Sequence, residues 1–235
     1  MRELLLAGRR KVHEIWLAAD LDAADVIDDI VDLASELRVP VQQVSRRKLD
    51  ETSRTDAAQG VLAMAAELPE SELDALCESA EGDPPPFLVA LDGVTDPGNL
   101  GALVRTAECA GVTGMILPRH RAVHVTPTVT KAAAGAVEHV DMALVGGLPA
   151  AITRMKELGV WVVGLDASGE TSLHELTVGD GPVCLVLGAE GSGLSRLVKQ
   201  RCDLVVSIPL HGNLGSLNVS VAGALACYEI VRRRS

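Results

Sequence analysis

Residues 183–194 read VCLVLGAEGSGL. The run from Val183 to Leu187 is apolar throughout and leaves no alternation for a strand with one wet face. A short continuous apolar run suits a sheet covered on both sides, which is the usual state of parallel strands. The run ends at Gly188, and Gly191 and Gly193 follow closely. Similar runs stand at FLVAL (87–91), GMIL (114–117), VWVVGL (160–165) and LVVSI (204–208). Stretches with helical periodicity separate them, at 99–110, 127–137, 148–158, about 193–200 and 218–233. Strand and helix alternate, so residues 87–235 are predicted to form an α/β domain on one open parallel sheet.

Upstream of Phe87 the composition shifts. The 235 residues carry a net charge of −11, of which residues 67–86, ELPESELDALCESAEGDPPP, hold −7. Residues 1–66 hold −3 and residues 87–235 only −1. The acidic stretch ends in Asp83 and three prolines, a helix-breaking run that reads as a linker between domains. Before it, VHEIWLA (12–18) is strand-like, and 23–37 places Val26, Ile27, Ile30, Val31, Ala34 and Leu37 on one helix face. Val41 to Val44 form a short strand, Leu49 sits in a short helix, and VLAMAAEL (61–68) closes the unit as a strand. The expected order is a small α/β unit at 1–66, a linker at 67–86 and the main domain at 87–235.

Several classes are excluded by what the chain lacks. No segment offers the ~18 consecutive apolar residues of a membrane span, and MRELLLAGRRKVHE has too short an apolar core for a signal peptide. Trp16, Phe87, Trp161 and Tyr228 are the only aromatic residues, too few for a reader that stacks successive bases on rings. Five cysteines without CxxC spacing argue against zinc, a redox dithiol or a secreted disulfide framework, and for the cytoplasm. No metal site is expected. Basic clusters at Arg9-Arg10-Lys11, Arg46-Arg47-Lys48, Arg119-His120-Arg121 and Arg232-Arg233-Arg234 read as solvated faces.

Three loops follow strand ends, where open α/β sheets hold ligands. In the first, Asp92 to Thr106, Asp96-Pro97-Gly98-Asn99 makes a turn and a helix cap, which accounts for those four residues but not for Arg105. In the second, Gly188 to Leu194, the spacing is neither the dinucleotide G-x-G-x-x-G nor a Walker loop. A glycine turn can be a mere helix connection, but Glu190 among three glycines points beyond packing. In the third, Ile208 to Ala222, Ser216 and Asn218 read equally as helix caps or site residues. His211, with no visible carboxylate partner, reads more simply as a surface residue than as a base.

Together the three segments resemble one family. DxxxDPxNxGxxxRT at Asp92–Thr106, LVLGxEGxG[LM] at Leu185–Leu194 and IPLxGxxxSLNVSVA at Ile208–Ala222 are similar to the motifs of the SpoU (TrmH) RNA ribose 2′-O-methyltransferases. A softer stretch, Lys131 to Ala136, also looks like the family, and residues 1–66 more loosely resemble the ribosomal-protein-like domain of its rRNA-modifying members. One departure is Ala58 before Gln59-Gly60, where relatives often carry His. The chain also starts abruptly beside such relatives, as though a first strand were missing.

The resemblance implies a parallel sheet closed by a C-terminal trefoil knot, a topology that periodicity does not reveal. It implies S-adenosylmethionine bound among Leu187, Gly188, Ile208, Leu210 and Leu217, and methyl transfer to a ribose 2′-hydroxyl in RNA, with 23S rRNA guanosine favoured. Arg105 is then the principal catalytic residue, with Asn99, Glu190, Ser216 and Asn218 positioning it, the ribose and the cofactor. The same resemblance implies a homodimer through the C-terminal domain. Residues 218–231 are apolar or small almost all round, with Val219, Ala222, Gly223 and Ala226 on one face as an expected seat for a second helix. Competing expectations are a tRNA methyltransferase, a resistance-conferring rRNA methylase, a catalytically silent RNA-binding or ribosome-assembly protein, and a small-molecule enzyme with a nucleotide cofactor.

Overall fold

The computed structural model describes residues 1–22, 24–53, 59–120 and 124–234; Ala58 and Arg121, both singled out above, lie outside them. A short helix, α1 (Arg2–Ala7), precedes β1 (Val12–Ala18), α2 (Asp25–Glu36), β2 (Val41–Val44), α3 (Arg46–Thr52) and β3 (Val61–Ala65). These elements make a three-stranded sheet in the order β2-β1-β3, with β1 parallel to β2 and antiparallel to β3. The helix α1 was not expected, and α2 buries a narrower stripe than its periodicity suggested. Ile30 and Ala34 pack on Leu5, Ile15 and Leu17, whereas Val26, Val31 and Leu37 stay exposed. The partner surface is too small to cover a wider face.

Residues 67–86 differ from a free linker. They hold α4 (Leu73–Leu76), and Leu76 and Cys77 are buried with Leu88, Ile116, Ala143 and Ile152 of the main domain. The Ser71 N–H donates to the Met142 carbonyl at 2.8 Å, and Asp74 pairs with Arg154 at 2.6 Å. Gly114 leaves room for Leu76, since a side chain there would come within 2.9 Å of it. Hydrophobic residues spaced among the acids thus strap the segment to the sheet, and its charges face outward.

The main domain runs β4 (Phe87–Asp92), α5 (Pro97–Cys109), β5 (Gly114–Pro118), α6 (Pro127–Ala132), β6 (Asp141–Val145), α7 (Leu148–Glu157), β7 (Trp161–Leu165), β8 (Thr171–Ser172), β9 (Val183–Gly188), α8 (Arg196–Arg201), β10 (Leu204–Ser207) and α9 (Val219–Arg234). The seven strands pair in parallel in the order β6-β5-β4-β9-β7-β10-β8. Strand β6 was not anticipated because MALV is short and opens on Asp141; β8 is an edge pair too short to leave a signal. One face, with Val89, Leu91, Leu185 and Leu187, packs on Leu100, Leu103 and Val104 of α5 and on Ala226 and Ile230 of α9. The other, with Leu88, Ala90, Cys184 and Val186, packs on Ile152 and Met155 of α7 and Val198 of α8. Covering on both faces is what the unbroken apolar runs required.

Expected helix 127–137 stops early, at Ala132. Ala134 and Gly135 adopt positive φ, and a single 3-10 turn, Ala136–Glu138, follows. The break lies where α6 meets α5. A Cβ on Gly101 would sit 2.4 Å from the Ala132 Cβ, so the two helices touch backbone to backbone. The soft family stretch at Lys131–Ala136 therefore serves packing.

The basic clusters are mostly engaged. Arg10 donates through Nε to Glu138 at 3.0 Å and through Nη1 to the Ala66 carbonyl at 2.9 Å, and Glu138 is 1% exposed. Arg9 pairs with Asp141, and His139 contacts Glu3 at 2.9 Å. These contacts dock the small sheet onto the turn before β6. Arg234 donates to the carbonyls of Pro85, Pro86, Gly179 and Gly181 and lies over the Phe87 ring, holding the end of α9 beneath the strand starts. All five cysteines are free thiols; burial pushes Cys77 and Cys202 up to about 11 and Cys227 to about 12, so these do not act as nucleophiles at neutral pH. Cys109 is exposed at the end of α5. Among the described residues no helix is long and apolar enough to cross a membrane.

Arg10→Ala leaves the Glu138 carboxylate buried without its cation, and such broken pairs cost about 3 kcal/mol. Urea denaturation should show that loss, whereas Lys11→Ala, at an exposed neighbour, should move the midpoint little.

Candidate active site

The C-terminal ends of β4 and β9 adjoin, and the loops leaving them meet at one edge of the sheet. Asp96 caps α5 by accepting the Asn99 N–H at 2.7 Å, with Pro97 fixing the first turn. This sets Asn99 half-buried at the edge. From the third loop comes Asn218, whose Nδ2 donates to Asn99 Oδ1 at 2.9 Å and to Glu190 Oε1 at 2.7 Å. Its Oδ1 accepts from the Ser220 N–H at 2.9 Å and the Ser220 hydroxyl at 2.5 Å, and so caps α9. The two ends of Asn218 act differently: the carbonyl end caps a helix, and the amide end ties three loops together.

Glu190 reaches that junction because its loop is folded back on itself. Ala189 and Gly193 exchange backbone hydrogen bonds of 3.2 and 2.9 Å, and Gly191 and Gly193 take positive φ. A Cβ on Gly188 would lie 2.2 Å from the Gly193 carbonyl carbon and 2.4 Å from the Leu194 nitrogen. The base of the loop is held by two carboxylates that the sequence reading left without a role. Asp92 Oδ2 accepts the Ser195 N–H at 2.6 Å, and Asp166 Oδ2 accepts the Leu194 N–H at 2.9 Å. Asp166 also accepts from Ser168 and from Lys199 Nζ at 2.8 Å. Burial acts to raise its pKa, but these donors outweigh it and hold the carboxyl well below the usual range. The available signal was a repeated ending: FLVAL and VVGL are each followed by Asp.

The remaining candidates lie around this junction without joining it. Arg105, on α5, is exposed and makes no hydrogen bond or ion pair with a described residue. Ser216 and His211 are exposed in the third loop. Leu187 is 1% exposed, and a Cβ on Gly223 of α9 would lie 2.9 Å from its side chain, so that side chain belongs to the core. Ile208 is half-buried against the same core, while Leu210 and Leu217 stand exposed. From Leu210 to Ser216 no backbone group bonds to another described residue. A depression of about 500 Å³ lined by Pro149, Thr153, Arg154 and Arg201 lies on the α7–α8 face, away from the loops.

An open parallel sheet with glycine-rich loops and convergent polar groups at its strand ends defines a ligand-binding α/β enzyme domain. Residues 86–228 match the SpoU rRNA Methylase family, and residues 2–80 match the RNA 2′-O ribose methyltransferase substrate binding family. The chain is 40% identical over 231 residues to YacO of Bacillus subtilis (strain 168), described as of the TrmH family, covering 98% of this chain and 92% of that one. It is 39% identical over 235 residues to the 23S rRNA (guanosine-2′-O-)-methyltransferase RlmB of Pseudomonas aeruginosa, covering 99% and 93%. The structure of the SpoU methyltransferase AviRb from Streptomyces viridochromogenes, in complex with its cofactor S-adenosylmethionine, superposes with a TM-score of 0.82 at 25% identity. It covers 99% of this chain and 88% of that one. The chain belongs to the SpoU rRNA methylase family. It is an RNA 2′-O-methyltransferase that uses S-adenosylmethionine.

The residues at the strand ends fit that cofactor. The segment from Leu210 to Ser216 keeps its backbone donors and acceptors available, Leu210 and Leu217 offer apolar contact, and Gly188 adds no side-chain bulk.

Asn218→Asp keeps an oxygen to cap α9 but loses the amide donor and sets a second carboxylate against Glu190. Far-UV circular dichroism should be unchanged while initial rates of methyl transfer fall by at least about tenfold.

Proposed function

We propose that this chain methylates a guanosine ribose 2′-hydroxyl of 23S rRNA, acting as a cytoplasmic homodimer. The observation that carries the reading is the Asn218 amide, which binds Asn99 and Glu190 at once and so joins all three strand-end loops. The choice of RNA is supported by the likeness to RlmB over nearly the whole chain and by the substrate-binding match at residues 2–80. The small sheet at 1–66, docked through Arg9 and Arg10, is the RNA-holding unit.

When bound, S-adenosylmethionine supplies the electrophilic methyl group, and the rest falls to this chain's residues. The 2′-oxygen takes the methyl and gives up its proton to solvent at this exposed edge, while the electron pair of the broken S–C bond stays on sulfur as a neutral thioether. Gly188, Ile208, Leu210 and Leu217, with the Leu187 backbone, hold the cofactor. Asn99, Glu190 and Asn218 keep the loops in register, and Ser216, exposed in the third loop, positions the ribose or the cofactor. Arg105 does not serve as a free base, since a guanidinium keeps its proton throughout the pH range in which enzymes work. Its unpaired fork instead grips the phosphate beside the target ribose and orients the hydroxyl.

The dimer rests on α9, with one change from the expected face. Gly223 packs against Leu103 and Leu187 of its own subunit, so the small-residue face is occupied. The exposed stripe is Val221, Leu225 and Tyr228, spaced to share one helix face. In the reading advanced here that stripe is the two-fold contact, and it brings Arg105 of one subunit toward the cofactor loops of the other. The trefoil knot belongs to the same reading. Its support is the tight passage where a Cβ on Gly169 would meet the Val206–Ser207 backbone at 2.4 Å.

The test is methyl transfer from labelled S-adenosylmethionine to 23S rRNA, with the modified nucleotide mapped. Label on tRNA alone, or on a base, would overturn the assignment. Arg105→Ala should lower turnover more than about a hundredfold, roughly 2.7 kcal/mol, with cofactor affinity within a few-fold. Leu225→Asp should yield monomers by sedimentation equilibrium and lose activity with them.

A further inference from the structure

The sheet register sets two carboxylates on either side of Gly188. Asp92 pairs with Gly188 directly, and Asp166 follows Leu165, which pairs with Leu187, so both stand level with Gly188 on its two neighbouring strands. At one level of a parallel sheet the side chains share a face. It is the face on which the loop from Gly188 folds back. The loop then presents two consecutive N–H groups, those of Leu194 and Ser195, and each meets one of the carboxylates.

We propose that Asp92 and Asp166 are positioning residues: a two-sided clamp that fixes the height of the Gly188–Leu194 loop and so sets cofactor affinity. The proposal rests on the reading that this loop borders the S-adenosylmethionine pocket. Neither carboxylate touches the junction of Asn99, Glu190 and Asn218; each acts through backbone. Without the clamp the base of the loop keeps only its own Ala189–Gly193 bonds, and its tip only the Asn218–Glu190 bond, so the Leu194–Ser195 end can tilt on Gly188.

The two arms differ in a way that experiment can read. Asp166 needs both oxygens as acceptors, since Oδ2 serves Leu194 while Oδ1 serves Ser168 and Lys199. An asparagine there must turn its amide donors toward one of those donors. Asp92 uses Oδ2 alone for Ser195, so an asparagine can present its one oxygen. Asp166→Asn should therefore fail where Asp92→Asn succeeds, and Asp92→Ala should fail.

Amide hydrogen exchange on the cofactor-free protein is the first readout. Faster exchange is expected at Leu194 in Asp166→Asn and at Ser195 in Asp92→Ala, with β4 and β9 protection unchanged. Calorimetric titration with S-adenosylmethionine should then show about tenfold weaker binding for both, and affinity within about threefold of wild type for Asp92→Asn. In steady state KM for the cofactor should rise by a similar factor, with kcat changed much less. Unaltered exchange at both amides, or equal affinities for Asp92→Asn and Asp92→Ala, overturns the clamp. A wild-type protein that binds no S-adenosylmethionine overturns the cofactor reading instead, and the exchange pattern still decides the clamp. Should Asp166→Asn fail to fold, the Asp92 pair carries the same decision.

Discussion

Backbone lies against backbone at Gly188, and the rest of the site is arranged around that contact. Any side chain at this position would collide with the Gly193 carbonyl and the Leu194 nitrogen. The central strand can therefore turn back over its own end only with glycine there. The fold-back brings Gly193 beside Asp166 and lets Ala189 close the loop base. It leaves Glu190 at the tip, within reach of Asn218. Because β9 lies between β4 and β7, the loop is flanked by the ends of both strands, and each end supplies a carboxylate.

The two faces of the sheet divide the work. Side chains in step with Gly188 lead to α7 and α8, and those in step with Leu187 lead to α5 and α9. Asn99 and Asn218 belong to the second face, Asp92 and Asp166 to the first. Glu190 crosses from one to the other by bonding Asn218 over the strand end. A tilt of the glycine loop is thus felt at the caps of α5 and α9. The same helices are fixed elsewhere by close packing, Gly101 on α6 and Gly223 on Leu103, so the caps have little freedom to follow.

Much of this was legible in the residues. Continuous apolar runs predicted β4, β5, β7, β9 and β10 to within a residue or two, since a doubly covered strand has no other pattern to show. The three loops were found at the strand ends, and Asn99, Glu190 and Asn218 do meet. What sequence missed depends on partners far along the chain. Arg10 reads as one of a solvated trio until Glu138, 128 residues away, is set beside it. The acidic stretch reads as a linker because its acids outnumber Leu73, Leu76 and Cys77, yet two of those three are buried and anchor it. Asp92 and Asp166 went unassigned because a carboxylate after a strand carries no mark of what it accepts. Val221, Leu225 and Tyr228 sit in a helix that is apolar or small almost all round, so periodicity singles out no face, and only the packing of Gly223 shows which side is left bare.

An acidic chain that handles RNA needs its free positive charge in the right place rather than in quantity. Most of the cations in the main domain are engaged. Arg119 faces Glu70, Arg154 faces Asp74, Lys156 faces Asp203, Lys199 faces Asp166, Arg232 and Arg233 face Glu229, and Arg234 faces carbonyls. Among the described residues of that domain Arg105 and Arg196 are exposed and make no hydrogen bond or ion pair through their side chains. Arg196 opens α8, directly after Ser195, whose N–H is held by Asp92. Arg105 lies two turns into α5, the helix that Asp96 and Asn99 begin. Both helices start from the strand ends that carry the candidate site. Pairing most other cations of the main domain within the fold leaves that domain's unengaged positive charge near the edge where the three loops meet.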